Sequence, residues 1–169
     1  MALKEQDVLV LLKLIARGDA AFTYPGLAET LGMSTSEVHA ALRRAAAAGL
    51  FNVATRTPNR AALLEFLLHG LKYVFVAERG GITRGIPTSH AAPPLVDLMA
   101  ASSDLPPVWP DPNGAVRGES LEPLYRSVPR ATRDDEGLRE LLALVDAVRA
   151  GRARERQLAE KILTERLKP

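Results

Sequence analysis

The sequence predicts a mainly α-helical chain with one small β-hairpin, then a proline-rich connector and a C-terminal helical hairpin. Three observations carry that expectation. Apolar residues recur at helical spacing between glycine stops through most of the first half. Nine of the twelve prolines fall between Pro87 and Pro129, a stretch with little helical patterning of its own. From Asp134 to Leu167 the helical period returns strongly. The 169 residues thus divide into 1–87, 88–133 and 134–169.

Each element of the first part has a local cause. Val8, Leu11, Leu12 and Ile15 lie on one face of a helix over 3–17, with Gly18 as its stop. Phe22 to Tyr24 reads as a short extended piece. Pro25 suits the first turn of a second helix, which carries Leu27, Ala28 and Leu31 inward and ends at Gly32. Ser34 and Glu37 have capping-box spacing, so a third helix covers 34–48 and stops at Gly49. Thr57 as N-cap and Pro58 at the first position begin a fourth helix, with Gly70 past its end. Tyr73–Ala77 and Ile82–Ile86 then form a hairpin around Glu78-Arg79-Gly80-Gly81.

Composition excludes more than it identifies. A 47% hydrophobic, 25% charged chain with mean hydropathy −0.02 is balanced as a globular protein is. The absence of cysteine removes disulfides, thiolate metal sites and cysteine nucleophiles. His39, His69 and His90 stand on different elements without metal-ligand spacing, so neither a metal nor another cofactor is expected. The glycines of 79–85 lack the lysine and strand-to-helix context of a phosphate-cradling loop. Asp134, Asp135 and Glu136 suit a helix start rather than acid–base chemistry. No enzyme is expected. The apolar run from Val8 to Ala16 is interrupted by Lys13 and preceded by Glu5 and Asp7, which argues against a signal or a membrane span and for a cytoplasmic protein.

Net charge is only +2, but its distribution is uneven. Residues 1–90 hold 10 Lys/Arg against 7 Asp/Glu, giving +3, whereas 91–169 hold 12 against 13, giving −1. A polyanionic partner should prefer the first half.

Ala28, Gly32 and Val38 supply a small crossing residue, a turn glycine and a branched anchor. The run Leu27-Ala28-Glu29-Thr30-Leu31-Gly32-Met33-Ser34, followed by Val38 and Leu42, resembles a helix-turn-helix, and with the later hairpin it resembles the winged helix transcriptional regulators, a broad group including MarR-like and ArsR-like proteins. The resemblance covers 3–87, about half the chain, and departs from the simplest pattern in the extra helix over 58–69. It implies a DNA-binding domain over 1–87 whose helix 34–48 enters the major groove of double-stranded DNA. Ser34, Thr35, Ser36, His39 and Arg43 would then face bases or nearby phosphates, and Arg43 is suited to a guanine. Arg44, Arg56 and Arg60 would touch phosphate, with Arg79 and Arg84 on the hairpin reaching the backbone or minor groove.

The connector over 88–133 carries Trp109, Leu121, Leu124 and Tyr125, enough apolar surface to wrap its own domain or to strap a partner. Leu138, Leu141, Leu142, Val145 and Val148 form a stripe, and a second helix follows Gly151. Such a hairpin suits a homodimer seam or intramolecular packing. Arg149, Arg152, Arg154 and Arg156 cluster there, with Arg156 and Glu160 at ion-pair spacing. The alternative function is a protein-interaction module, antitoxin-like or an adaptor subunit, using the connector and C-terminal helices.

Overall fold

The protein is described by a computed structural model covering residues 1–169. It is mainly helical, with eight α-helices and two small sheets. The first three helices follow the sequence expectation closely: α1 (Glu5–Arg17), α2 (Tyr24–Leu31) and α3 (Thr35–Ala47). Gly32 ends α2 with φ +64°, a left-handed conformation that glycine adopts without Cβ strain. Ser34 Oγ accepts the Glu37 N–H at 3.1 Å while the Ser34 N–H donates to Glu37 Oε2 at 2.7 Å, closing the capping box of α3.

After α3 the chain departs from expectation. Phe51–Asn52 (β1) pairs antiparallel with Thr57–Pro58 (β2), making a hairpin directly behind α3. Thr57 is therefore not an N-cap. That role falls to Asn59, whose side chain accepts from the Ala62 N–H, and α4 runs Arg60–His69.

The expected hairpin over 73–86 does not form. Leu71–Val74 is a further helical turn, α5, and Arg79–Pro87 is one continuous strand, β3. β3 pairs with two strands from the proline-rich stretch: β4 (Pro107–Pro110) and β5 (Val116–Leu121). β4 and β5 also pair, in parallel, so the three strands close on themselves. Gly80 and Gly81 lie within an irregularity of the β3–β5 register instead of at a turn. A Cβ at Gly85 would collide with the Trp109 carbonyl, and one at Gly118 with that of Pro106, so so small a closed sheet requires glycine at both points.

The chain finishes with α6 (Val128–Ala131), α7 (Glu136–Ala150) and α8 (Ala153–Arg166). One hydrophobic core runs through all three compositional parts, from Val8 and Leu42 through Leu95 and Trp109 to Leu142 and Leu163. The stripe of Leu138, Leu141, Leu142, Val145 and Val148 is buried in this core, against α1, α4, α5 and α8. The surface that suggested a dimer seam is thus covered by the chain itself.

Asp146 fastens the proline-rich stretch to α7. Its Oδ2 accepts from Trp109 Nε1 at 2.7 Å and from Thr88 Oγ1 at 2.6 Å, and its Oδ1 accepts from Arg149 Nη1 at 3.0 Å. Burial pushes the Asp146 carboxyl above the ordinary aspartate range, against the pull of Arg149 and the two other donors. Arg149, expected in a basic surface cluster, is consumed in this network and also donates from Nε to the Phe75 carbonyl. The expected Arg156–Glu160 pair is replaced by a bond from Arg156 Nη2 to the Gly151 carbonyl. No helix is long and apolar enough to cross a membrane.

Candidate nucleic-acid interface

α3 buries Val38, Ala41, Leu42 and Ala45, the positions that a helix turns to one side at its 3.6-residue period. Its opposite side presents Thr35, Ser36, His39 and Arg43, all exposed. Positions 35, 39 and 43 stand one above another along about 12 Å of helix, comparable with the width of a B-DNA major groove. Arg43 takes part in no ion pair or hydrogen bond within the protein, so its five donors are available. Ser34 is occupied by the capping box and positions the helix start.

His39 is less free than its exposure suggests. Its ring lies against Tyr24, with centroids 4.8 Å apart and planes inclined at 33°. Tyr24 in turn meets Phe22 edge-on at 6.1 Å. Arg56, at the turn of the β1–β2 hairpin, lays its guanidinium 4.5 Å from the Phe22 centroid and donates from Nη2 to the Phe22 carbonyl at 3.1 Å. A continuous line of contacts therefore ties the hairpin, through Phe22 and Tyr24, to His39 on α3. Phe22 and Tyr24, the last residue but one before α2 and its first residue, carry this line of contacts, although the sequence pattern marks 22–24 only as a short extended piece.

No family model, curated protein or solved structure matches the chain. The site is read from its own geometry, and that geometry removes several expected contacts. Arg44 is turned inward, where Nε and Nη2 bond both oxygens of buried Asp7 at 2.9 and 2.7 Å. These bonds raise the Arg44 pKa still further. A phosphate role for Arg44 is therefore replaced by a bridge between α3 and α1. Arg60 points its Nη1 at the Arg166 carbonyl, 3.4 Å away, and so faces the C-terminal end of α8.

Arg79 and Arg84 are not on a hairpin beside α3. Arg79 pairs with Glu119 on β5 at 3.1 Å and donates to the Ala150 carbonyl at 2.7 Å, joining the small sheet to the end of α7. Arg84 reaches the Gly114 carbonyl at 3.3 Å in the turn between β4 and β5. Both expectations followed from placing the hairpin at 73–86. Of the expected residues, α3 and the hairpin behind it gather Thr35, Ser36, His39, Arg43 and Arg56; Arg44 is turned into the fold, Arg60 lies toward the end of α8, and Arg79 and Arg84 stand on β3.

Glu37 adds an acidic group in the first turn of α3, about 160° round the helix from His39 and on the flank that carries Arg44. The Ser34 N–H bonded to it holds its carboxyl below the ordinary glutamate range, with Arg126 adding to the effect from 3.5 Å. No group of three or more His, Asp or Glu side chains is placed to hold a metal ion.

Proposed function

We propose that the protein is a sequence-specific DNA-binding transcriptional regulator, with α3 as the element that enters the major groove and the β1–β2 hairpin as a wing beside it. The observation that carries this reading is the unpartnered Arg43, aligned with Thr35 and His39 on the face of α3 opposite its buried side. A guanidinium presented without a carboxylate partner can pair bidentately with a guanine edge. The left-handed Gly32 turn between α2 and α3 and the hairpin directly after α3 support the resemblance to winged helix regulators. The hairpin's Arg56, held over Phe22, would lie next to the DNA backbone. A two-fold DNA site bound by two copies fits this class of recognition, with a pairing surface other than the buried α7 stripe.

Fluorescence anisotropy with duplex DNA from upstream of the protein's own gene, against a scrambled duplex of equal length, tests the proposal. Preferential binding weakened by salt supports it, and equal or absent binding refutes it.

One observation favours a second reading, a protein-interaction module. Tyr73, Val74 and Val76 are 73%, 58% and 67% exposed around the buried Phe75, an apolar cluster that α5 leaves uncovered. Failure to bind either duplex would shift the assignment to this class.

A further inference from the structure

We propose that the segment around α6 is a second DNA contact, in which Arg126, Arg130 and Arg133 hold the sugar–phosphate backbone beside the groove that α3 enters. This rests on the reading of α3 given above. The segment lies outside the helix-turn-helix, at the end of the proline-rich connector.

The segment is anchored in the core. Val128 is fully buried in the core, Ser127, Ala131 and Thr132 are buried beside it, and Thr132 Oγ1 donates back to the Val128 carbonyl at 2.8 Å. Backbone bonds from Val128 to Tyr125, from Ala131 to Ser127, from Thr132 to Val128 and from Arg133 to Arg130 continue the turns on either side of α6. The buried side chains point inward and Arg126, Arg130 and Arg133 are exposed; α6 itself is the single turn Val128–Ala131, with Arg126 and Arg133 in the turns on either side.

Its position relative to α3 is set by two contacts. The Arg130 side chain lies over the α2–α3 turn: a Cβ placed on Gly32 would be 3.3 Å from Arg130 Cδ and 3.5 Å from its Nη1. Arg126 Nη2 is 3.5 Å from Glu37 Oε1, on the third residue of α3. Two of the guanidiniums therefore border the N-terminal end of α3, the end that leads into the groove in helix-turn-helix docking.

The pairing state also fits. The Arg126 side chain is 79% exposed, so its pair with Glu37 is weak and readily exchanged for a phosphate. Arg130 and Arg133 enter no ion pair with the acidic groups near them. Glu29, Asp134 and Asp135 border the same hollow as Arg130 and Arg133, and Asp135 is already held by Lys13. The contribution is thus made by individual cation–phosphate pairs rather than by a net positive patch, carried on a segment anchored beside the reading helix. A mobile basic tail would lack that anchorage.

The test compares the full-length protein with the triple variant Arg126→Gln/Arg130→Gln/Arg133→Gln and with Arg43→Ala, by anisotropy on the upstream and scrambled duplexes over a salt series. The triple variant should bind both duplexes about tenfold or more weakly, lose about 2 to 3 from the slope of log affinity against log salt, and keep its preference for the upstream duplex. Circular dichroism controls for folding, and Arg→Lys at the same three positions, which keeps the charge, should retain most of the salt slope. An unchanged affinity and slope in the triple variant, with preference lost in Arg43→Ala, overturns the α6 contact and leaves the α3 reading intact. A reduced slope in the triple variant with unchanged preference in Arg43→Ala upholds the α6 contact and removes α3 as reader. No binding by the unsubstituted protein overturns both.

Discussion

Arg44 reaches from α3 to α1 and grips both carboxylate oxygens of Asp7, at 2.9 and 2.7 Å, in a site where Asp7 is completely buried. Its neighbour Arg43 lies about 100° further round the helix and faces solvent. Two adjacent arginines are thus sorted by the helical period into a bridge within the fold and a candidate reader of DNA.

This sorting predicts opposite stability effects. Arg44→Ala strands a buried carboxylate and should cost about 3–5 kcal/mol. Arg43→Ala should change stability by no more than about 0.5 kcal/mol. Urea denaturation of the two variants checks it, and similar midpoints for both would contradict the assignment of Arg44.

The Asp146 network predicts a second effect. Trp109→Phe keeps an aromatic ring in the core but removes the Nε1–H donated to Asp146, which should cost about 1–3 kcal/mol. Thermal unfolding measures it. A melting temperature equal to that of the parent protein would show that the bond does not hold the proline-rich stretch to α7.

The start of α3 should respond to acid. Glu37 titrates below its ordinary value because the charged form accepts the Ser34 N–H. A lowered folded-state pKa means that its contribution is present above the ordinary glutamate pKa, about 4.3, and is lost as the pH falls through the lowered value. Amide NMR of Ser34 and Glu37 on acidification should show the first turn of α3 loosening only below the ordinary glutamate range. The same loosening near neutral pH would contradict the capping account.

Arg56 should hold the hairpin to the helices. Arg56→Ala removes the contact with Phe22 and the bond to its carbonyl, while the φ of +56° stays equally strained for either residue. Hydrogen exchange of the hydrogen-bonded amides over 51–58 should quicken by an opening free energy of about 1 kcal/mol, with α3 little affected. Unchanged exchange would show that the hairpin stands without Arg56.

The helices were legible in the sequence where period and punctuation agreed. Gly18, Gly32 and the Ser34–Glu37 box mark the ends of α1, α2 and α3 within one or two residues. The β1–β2 hairpin was not legible, because two-residue strands are too short to alternate and Thr57-Pro58 has the look of a helix start. β3 pairs with residues some 20 to 40 positions away, so no local signal announces it, and its paired glycines imitate a turn. The outward face of α3 followed from its apolar period alone. The inward turn of Arg44 did not, because Asp7 lies 37 residues earlier on another helix. Nothing local marks Arg126 and Arg130 either, because the turn they border is roughly 90 to 100 residues away in sequence.

The proposed function stands on the exposed side of α3 reading base sequence. Selection of bound duplexes from a random pool, carried out in parallel with the parent protein and Arg43→Ala, tests it most directly. The account predicts a defined motif for the parent and, for the variant, loss of preference at one position, a guanine, worth about 1–3 kcal/mol, with the rest of the motif kept. An identical motif from both proteins, or none from the parent, would contradict it.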